Sequence, residues 1–314
     1  MLKLAKDQAE GLRRLLGKEG LRVIRLNSAR RGIGKTACAV NLAAALAEMG
    51  RDVLILDEAG GARNACDQLG LRPRADLGQV TRGECRIEQA ISVGNGVAVL
   101  PLGDGLKVLE GLDDERRRRL VAHVEQADLR CDTVIIDAAP GESSRLFHVA
   151  PGGIEDMLLL GATGSALTDA YAWLKSATAR FGARRQHILF NRVRDEAQAR
   201  ALFGNFAGAA QRYLGSELAL FGVLPADESL KRAGELAVPA VHAFPAAAAA
   251  IGLRQLAQRL TELPRGRQQM AHLGDLFHAL ARPAEPLANT TQSRAVKRPS
   301  LSSNTFGLAT AMAG

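Results

Sequence analysis

Residues 22–50 read RVIRLNSARRGIGKTACAVNLAAALAEMG. An apolar run, RVIRL, feeds a loop that ends in Gly34-Lys35-Thr36. An alanine-rich helical pattern follows over 36–49 and stops at Gly50, a C-terminal cap. This is the layout of a phosphate-binding loop. In the pattern G-x-x-x-x-G-K-[ST] the second half is in register, and Ala29 stands where the first glycine belongs. In such loops successive backbone N–H groups surround the phosphates, the lysine reaches the outer ones, and the hydroxyl of the Thr36 position binds Mg²⁺. The following helix adds the partial positive charge of its N-terminus. An ordinary strand-turn-helix could also contain GKT. GIGKT directly between an apolar strand and a helix argues for the phosphate loop.

Working outward, the chain alternates. Strand-like runs occupy DVLILD (52–57), GVAVLPL (96–102), CDTVIIDAAPG (131–141), DMLLLGAT (156–163), QHILFNRV (186–193) and LALFGVLPAD (218–227). Helical patterns occupy 113–127, 166–182, 195–215 and 246–263. Continuous apolar strands alternating with helices predict an α/β fold, a mostly parallel sheet with helices on both faces. Two strands end in aspartate. VIID places Asp137 to hold Mg²⁺, and LILD places Asp57 at the same carboxyl end of the sheet, where open α/β sheets bind ligands.

Bulk properties are consistent with this. The chain has 314 residues, of which 47% are apolar and only 4% aromatic, so its core is built from Leu, Ala, Val and Ile. Its formal charge is +8. Contact with nucleic acid or an anionic membrane is one reading, and surface arginine dispersed on helices such as DDERRRRL is the other. Without aromatic interleaving no nucleic-acid surface is argued. Cys38, Cys66, Cys85 and Cys131 form no CxxC pair, so neither a zinc site nor a disulfide framework is indicated. The first twenty residues carry charges throughout, unlike a secretory signal. No run approaches the length of a membrane span.

Three loops, SARRGIGKT, LILDEAGGARN and TVIIDAAPG, together with ALTDAYAWLK, ILFNRV and GVLPADESLKRAGELAVPAV, resemble the MinD/ParA family of deviant Walker A P-loop ATPases over residues 21–262. The leading segment DQAEGLRRL resembles the N-terminal D-Q-A-x-x-L-R motif of the FlhG branch (FleN, YlxH) of flagellar number regulators. Asp7, Gln8, Ala9, Leu12 and Arg13 carry that match. The resemblance implies that they stimulate a partner FlhF, a signal-recognition-type GTPase. The alternative is a generic amphipathic helix packing on the domain.

The resemblance also implies a site. ATP and Mg²⁺ are the expected cofactors, with Gly32, Ile33, Gly34, Lys35 and Thr36 around the phosphates and Thr36 and Asp137 on the metal. Asn191 is expected at the adenine, with Pro225 and Asp227 in the loop flanking the base. Arg30 replaces the signature lysine that reaches across a nucleotide-dependent homodimer. It keeps the charge but offers a planar fork. Arg31 adds bulk where the family has glycine. The family's second aspartate strand reads D-x-D, whereas here Asp57 is followed by Glu58 and Ala59. Asp57 and Arg30 are the remaining catalytic candidates, and the water-positioning carboxylate is absent. Loss of a positioned base costs about 10²–10⁴-fold in rate. The expectation is ATP binding with weak or lost hydrolysis. An active membrane-cycling MinD-type ATPase and a ParA-type DNA partition ATPase are the alternatives.

The expected organisation is an activator helix at 1–18, a P-loop domain at 19–263, an amphipathic helix at 264–282 and a disordered tail at 283–314. Met270, Leu273, Leu276, Phe277 and Leu280 share one face of the third segment. That face suits either a membrane surface or packing in the core or against a partner. Cytoplasmic localisation, peripheral to the inner membrane at a pole, goes with the membrane reading. DNA is the least favoured partner.

Overall fold

The computed structural model describes residues 20–127, 129–148, 153–264 and 270–282. The 1–18 segment and the 283–314 tail lie outside them. The sheet has eight strands: β1 Arg22–Asn27, β2 Val53–Asp57, β3 Ser92–Gly94, β4 Val97–Pro101, β5 Thr133–Asp137, β6 Ile154–Gly161, β7 Gln186–Val193 and β8 Leu218–Pro225. Their order is β3-β4-β2-β5-β1-β6-β7-β8. All neighbours pair in parallel except β3 with β4. The three-residue β3 is too short for a period to register in the sequence.

The helices are α1 Lys35–Glu48, α2 Ala65–Gln68, α3 Leu77–Thr81, α4 Ile87–Ala90, α5 Gly105–Glu110, α6 Asp114–Gln126, α7 Gly164–Phe181, α8 Glu196–Leu214, α9 Glu228–Leu236, α10 Ala240–Ala243, α11 Ala248–Glu262 and α12 Leu273–Leu280. Alternate residues of each strand serve opposite layers, as the pleat requires. Ile24, Leu26, Ile55 and Ile135 pack with α1 and α11 on one face. Val23, Leu54, Leu56, Val134 and Ile136 pack with α3, α5, α6 and α12 on the other. Leu158, Leu160, Ile188 and Phe190 extend that second face under α7 and α8. The continuous apolar strands of the sequence are therefore covered on both sides.

Strand β1 departs from that rule. Arg22 and Arg25 are buried in the middle of the sheet. The carboxylates of the neighbouring β6 neutralise them. Arg22 Nη1 donates to Glu155 at 2.9 Å. Arg25 makes a two-pronged contact with Asp156 at 2.6 and 2.9 Å, which also accepts from Asn27 Nδ2 at 2.8 Å. Paired, hydrogen-bonded charge is the condition under which such residues survive burial.

Of the two destinations open to the amphipathic segment, the structure shows packing in the core. α12 packs on α6, and Leu21 N donates to Met270 O at 2.7 Å, tying the segment to the start of the central strand. Leu276 and Phe277 are fully enclosed, and Met270, Leu273 and Leu280 are buried with them. The apolar face that would enter a membrane surface is instead part of the core. Each such side chain stabilises by about 1.5–3 kcal/mol when removed from water. Among the described residues no helix is long and apolar enough to cross a membrane.

Candidate functional site

A cavity of about 690 Å³ opens over the carboxyl ends of β1, β2, β5, β7 and β8. The loop 28–34 and the start of α1 form its floor. Gly32 and Gly34 have φ of +78° and +89°, whereas Ala29, Arg30 and Arg31 do not have positive φ. The loop thus keeps glycine at the two positions where a left-handed backbone requires it. Replacing the other family glycines with Ala29 and Arg31 introduces no such strain, and the Arg31 side chain is exposed. No side chain caps α1, whose N-cap is Gly34. By contrast α6, α7, α8 and α9 are capped by Asp113, Thr163, Asp195 and Asp227. The first-turn amides of α1 are left for a ligand, and an anion is the species they suit.

Lys35 and Thr36, both on the first turn of α1, meet one carboxylate. Lys35 Nζ is ion-paired to Asp137 Oδ1, and Thr36 Oγ1 donates to Asp137 Oδ2 at 2.6 Å. Asp137 is fully buried and Lys35 nearly so. A threonine hydroxyl and a carboxylate are hard oxygen donors of the kind Mg²⁺ takes with phosphate and water. Among the described residues no three His, Cys, Asp or Glu side chains cluster to hold a metal by themselves. Cys38, one turn along α1, is buried, which pushes its thiol up to about 12, so it stays a protonated packing group.

Asp57 sits opposite Asp137 in the register of β2 and β5. Its oxygens accept from Ala59 N at 2.9 Å and Ala65 N at 2.7 Å, so it organises its own loop and α2. Burial, and then the nearby Asp137 charge, push its carboxyl from an ordinary 3.8 to about 6. The folded state therefore favours protonated Asp57. Its contribution is fully present below pH 3.8 and is lost as pH rises through about 6, a change of roughly 3 kcal/mol. In nucleotide-free and Mg²⁺-free protein, the urea stability of Asp57→Asn relative to wild type should rise between pH 4 and pH 7 and level off above. A pH-independent difference between the two proteins would refute this titration.

Glu58 could substitute for the missing carboxylate only where the chain has left strand geometry. β2 ends at Asp57, so Glu58 has left strand geometry and turns toward β5. Its carboxylate accepts from Ala139 N at 2.7 Å, Ser144 Oγ at 2.6 Å and Arg145 N at 2.6 Å. It anchors the loop after Asp137. Gly141 pins the far side of that loop, donating from N to Ser28 O at 2.7 Å. Ala59 follows, small and apolar, on the cavity wall.

The remaining candidates divide. Arg30 points out of the cavity floor toward α7, with Nη1 3.3 Å from both Ser165 Oγ and Asp169 Oδ2 and half its side chain exposed. Asn191 is buried at the end of β7. Its Nδ2 donates to Ile33 O at 2.8 Å, and its Oδ1 accepts from Arg192 N at 3.0 Å. It braces the phosphate loop. Asp227 lines the cavity but caps α9, accepting from Ser229 N at 2.8 Å and Ala249 N at 2.9 Å. Pro225 ends β8 and is not among the lining residues. Arg192, unnoticed in the sequence, lines the mouth and donates from Nη1 to Gly32 O at 3.2 Å. Asp7, Gln8, Ala9, Leu12 and Arg13 lie outside the described residues.

The geometry has counterparts. Antiactivator FleN of Pseudomonas aeruginosa is 29% identical over 254 residues, spanning 81% of this chain and 91% of that protein. The flagellum site-determining protein YlxH of Helicobacter pylori is 23% identical over 222 residues, 68% of this chain and 73% of that one. Among solved structures, the septum site-determining protein MinD of Pyrococcus horikoshii, complexed with Mg-ADP, shares the fold. It matches with a TM-score of 0.54 at 22% identity, over 76% of this chain and 96% of that one. The sequence profile of the CobQ/CobB/MinD/ParA nucleotide binding domain matches residues 24–239. Those residues run from β1, through the phosphate loop and both aspartate strands, past α9, so this chain belongs to the CobQ/CobB/MinD/ParA nucleotide-binding domain family.

Proposed function

We propose that this chain is a MinD-like regulator of flagellar placement and number that binds Mg-ATP and hydrolyses it weakly or not at all. It acts on an FlhF-type signal-recognition GTPase through Asp7, Gln8, Ala9, Leu12 and Arg13. The flagellar reading is supported by the similarity to FleN and YlxH. The observation that carries the nucleotide reading is the convergence of Lys35, Thr36 and Asp137 under the uncapped first turn of α1.

With nucleotide present, the amides of 32–36 and Lys35 would hold the phosphates, and Thr36 and Asp137 would hold Mg²⁺. The metal supplies charge neutralisation on the phosphate oxygens. Lys35 would exchange its Asp137 partner for phosphate, which keeps the buried ammonium paired throughout. The base would occupy the end of the cavity walled by Leu224, Ala226 and Asp227. Arg30, exposed beside α7, is available to reach a second copy in a homodimer.

Calorimetry with Mg-ATP on the full chain, followed by sizing with and without ligand, tests the proposal. Saturable binding is expected, and its absence rejects the nucleotide reading. The partner reading has its own test. Gln8→Ala should lower the GTPase rate of FlhF to its unstimulated value while leaving the thermal unfolding of this chain unchanged. Undiminished stimulation rejects the activator role.

The alternatives lose specific support. The apolar face invoked for membrane cycling is buried against α6. The arginine run of α6, the densest basic stretch, is partly matched by its own helix. Asp113, Asp114 and Glu115 pair with Arg116, Arg117 and Arg119. Dispersed surface arginine fits this better than a DNA-binding stripe.

A further inference from the structure

The backbone turns left-handed at Arg192, with φ of +58°, although it is not glycine. Among the described residues only Arg63, Asn95 and Ala237 share that condition. Arg192 also lies within a register shift between β7 and β8, between Asn191 and Val193. Such irregularities bend a strand and re-aim a side chain, and strain of this kind collects at functional sites. Here the re-aimed side chain crosses to the phosphate loop. Arg192 Nη1 reaches Gly32 O at 3.2 Å, and the preceding Asn191 Nδ2 reaches Ile33 O at 2.8 Å. Two consecutive carbonyls of the loop are thus held by two consecutive residues of β7. The loop is pressed close to them, because a Cβ on Gly34 would come within 2.7 Å of Asn191 Nδ2.

In a trans peptide the carbonyl of one residue and the N–H of the next point in opposite directions. Drawing the Gly32 and Ile33 carbonyls toward β7 therefore turns the N–H groups of Ile33 and Gly34 away from it. Those are amides that a phosphate-binding loop must present.

We infer that Arg192 is a positioning residue for nucleotide binding: with Asn191 it grips the carbonyl side of the phosphate loop, and its left-handed backbone aims the guanidinium at Gly32. This rests on the nucleotide reading for its consequence, though not for the clamp itself. Two full-chain variants, Arg192→Ala and Arg192→Gly, test it, the second removing the side chain where the backbone suits glycine. Hydrogen exchange across 32–36 is read in the nucleotide-free protein, and Mg-ATP affinity by calorimetry. Both variants should exchange faster in the loop and bind about three- to tenfold more weakly, the range expected for one lost hydrogen bond. Unchanged exchange in both variants overturns the inference. So does an Arg192→Lys variant that restores affinity while the loop still exchanges fast, because the charge alone would then be responsible. If wild type binds no Mg-ATP, the nucleotide reading fails, and the exchange measurement still decides whether the clamp exists.

Discussion

Lys35→Ala should abolish measurable Mg-ATP binding and lower stability at neutral pH in the same protein. Lysine at this position serves two partners in turn. In the structure its ammonium neutralises Asp137, whose carboxylate is buried. Truncation leaves that carboxylate with only the Thr36 hydroxyl at 2.6 Å. Removing one partner of a buried ion pair typically costs about 3–5 kcal/mol. For a domain of this size that is roughly 6–20 °C in midpoint. A second substitution, Asp137→Asn, removes the stranded charge and should recover most of the loss without recovering binding. For the ligand, two charge-assisted hydrogen bonds to phosphate are lost, worth about a hundredfold or more together. Thermal unfolding and calorimetry on the single and double variants separate the two roles. Equal stability of wild type and Lys35→Ala would mean that the Lys35–Asp137 ion pair does not stabilise the fold.

The phosphate loop was legible because local chemistry fixes it: a buried strand, a glycine where φ must be positive, and a helix with no cap. The strands were legible for a related reason, since a sheet covered on both faces needs unbroken apolar runs. What escaped the sequence depends on contacts between distant segments. The arginines of β1 are tolerable only because Glu155 and Asp156 lie on the adjacent strand, more than 120 residues away. The amphipathic face of 268–281 carries no mark of its destination, and membrane and core look alike in a helical period. α6 and the isolated bridge between Leu21 and Met270 decide it. Asn191 could be placed on the site by resemblance, but its grip and that of Arg192 on the loop carbonyls come from a strand irregularity that has no period to read.

Ala59→Asp should raise steady-state phosphate release from Mg-ATP by about 10²–10⁴-fold, the usual contribution of a positioned carboxylate acting on water. The position is prepared for it. Ala59 is on the cavity wall, and its backbone is fixed by the 2.9 Å hydrogen bond from its N–H to Asp57. The neighbouring acid is no substitute. Glu58 accepts three hydrogen bonds from the loop after Asp137, two of them from backbone amides, and detaching it would unpin that loop. Asp57 is equally committed, its two oxygens accepting from the backbone amides of Ala59 and Ala65. Asp57, Glu58 and Asp137 are thus each tied to a structural partner, and none is free to activate water. Phosphate release assays on wild type, Ala59→Asp and Glu58→Gln distinguish the cases. If Ala59→Asp is no faster than wild type, the missing carboxylate is not what limits turnover. If Glu58→Gln removes a measurable wild-type rate while exchange of the Ala139 and Arg145 amides stays unchanged, Glu58 is the base and its three hydrogen bonds are not its function. Under the reading favoured here the opposite holds. Glu58→Gln should loosen the loop and leave phosphate release where it was, because Glu58 holds that loop through three hydrogen bonds.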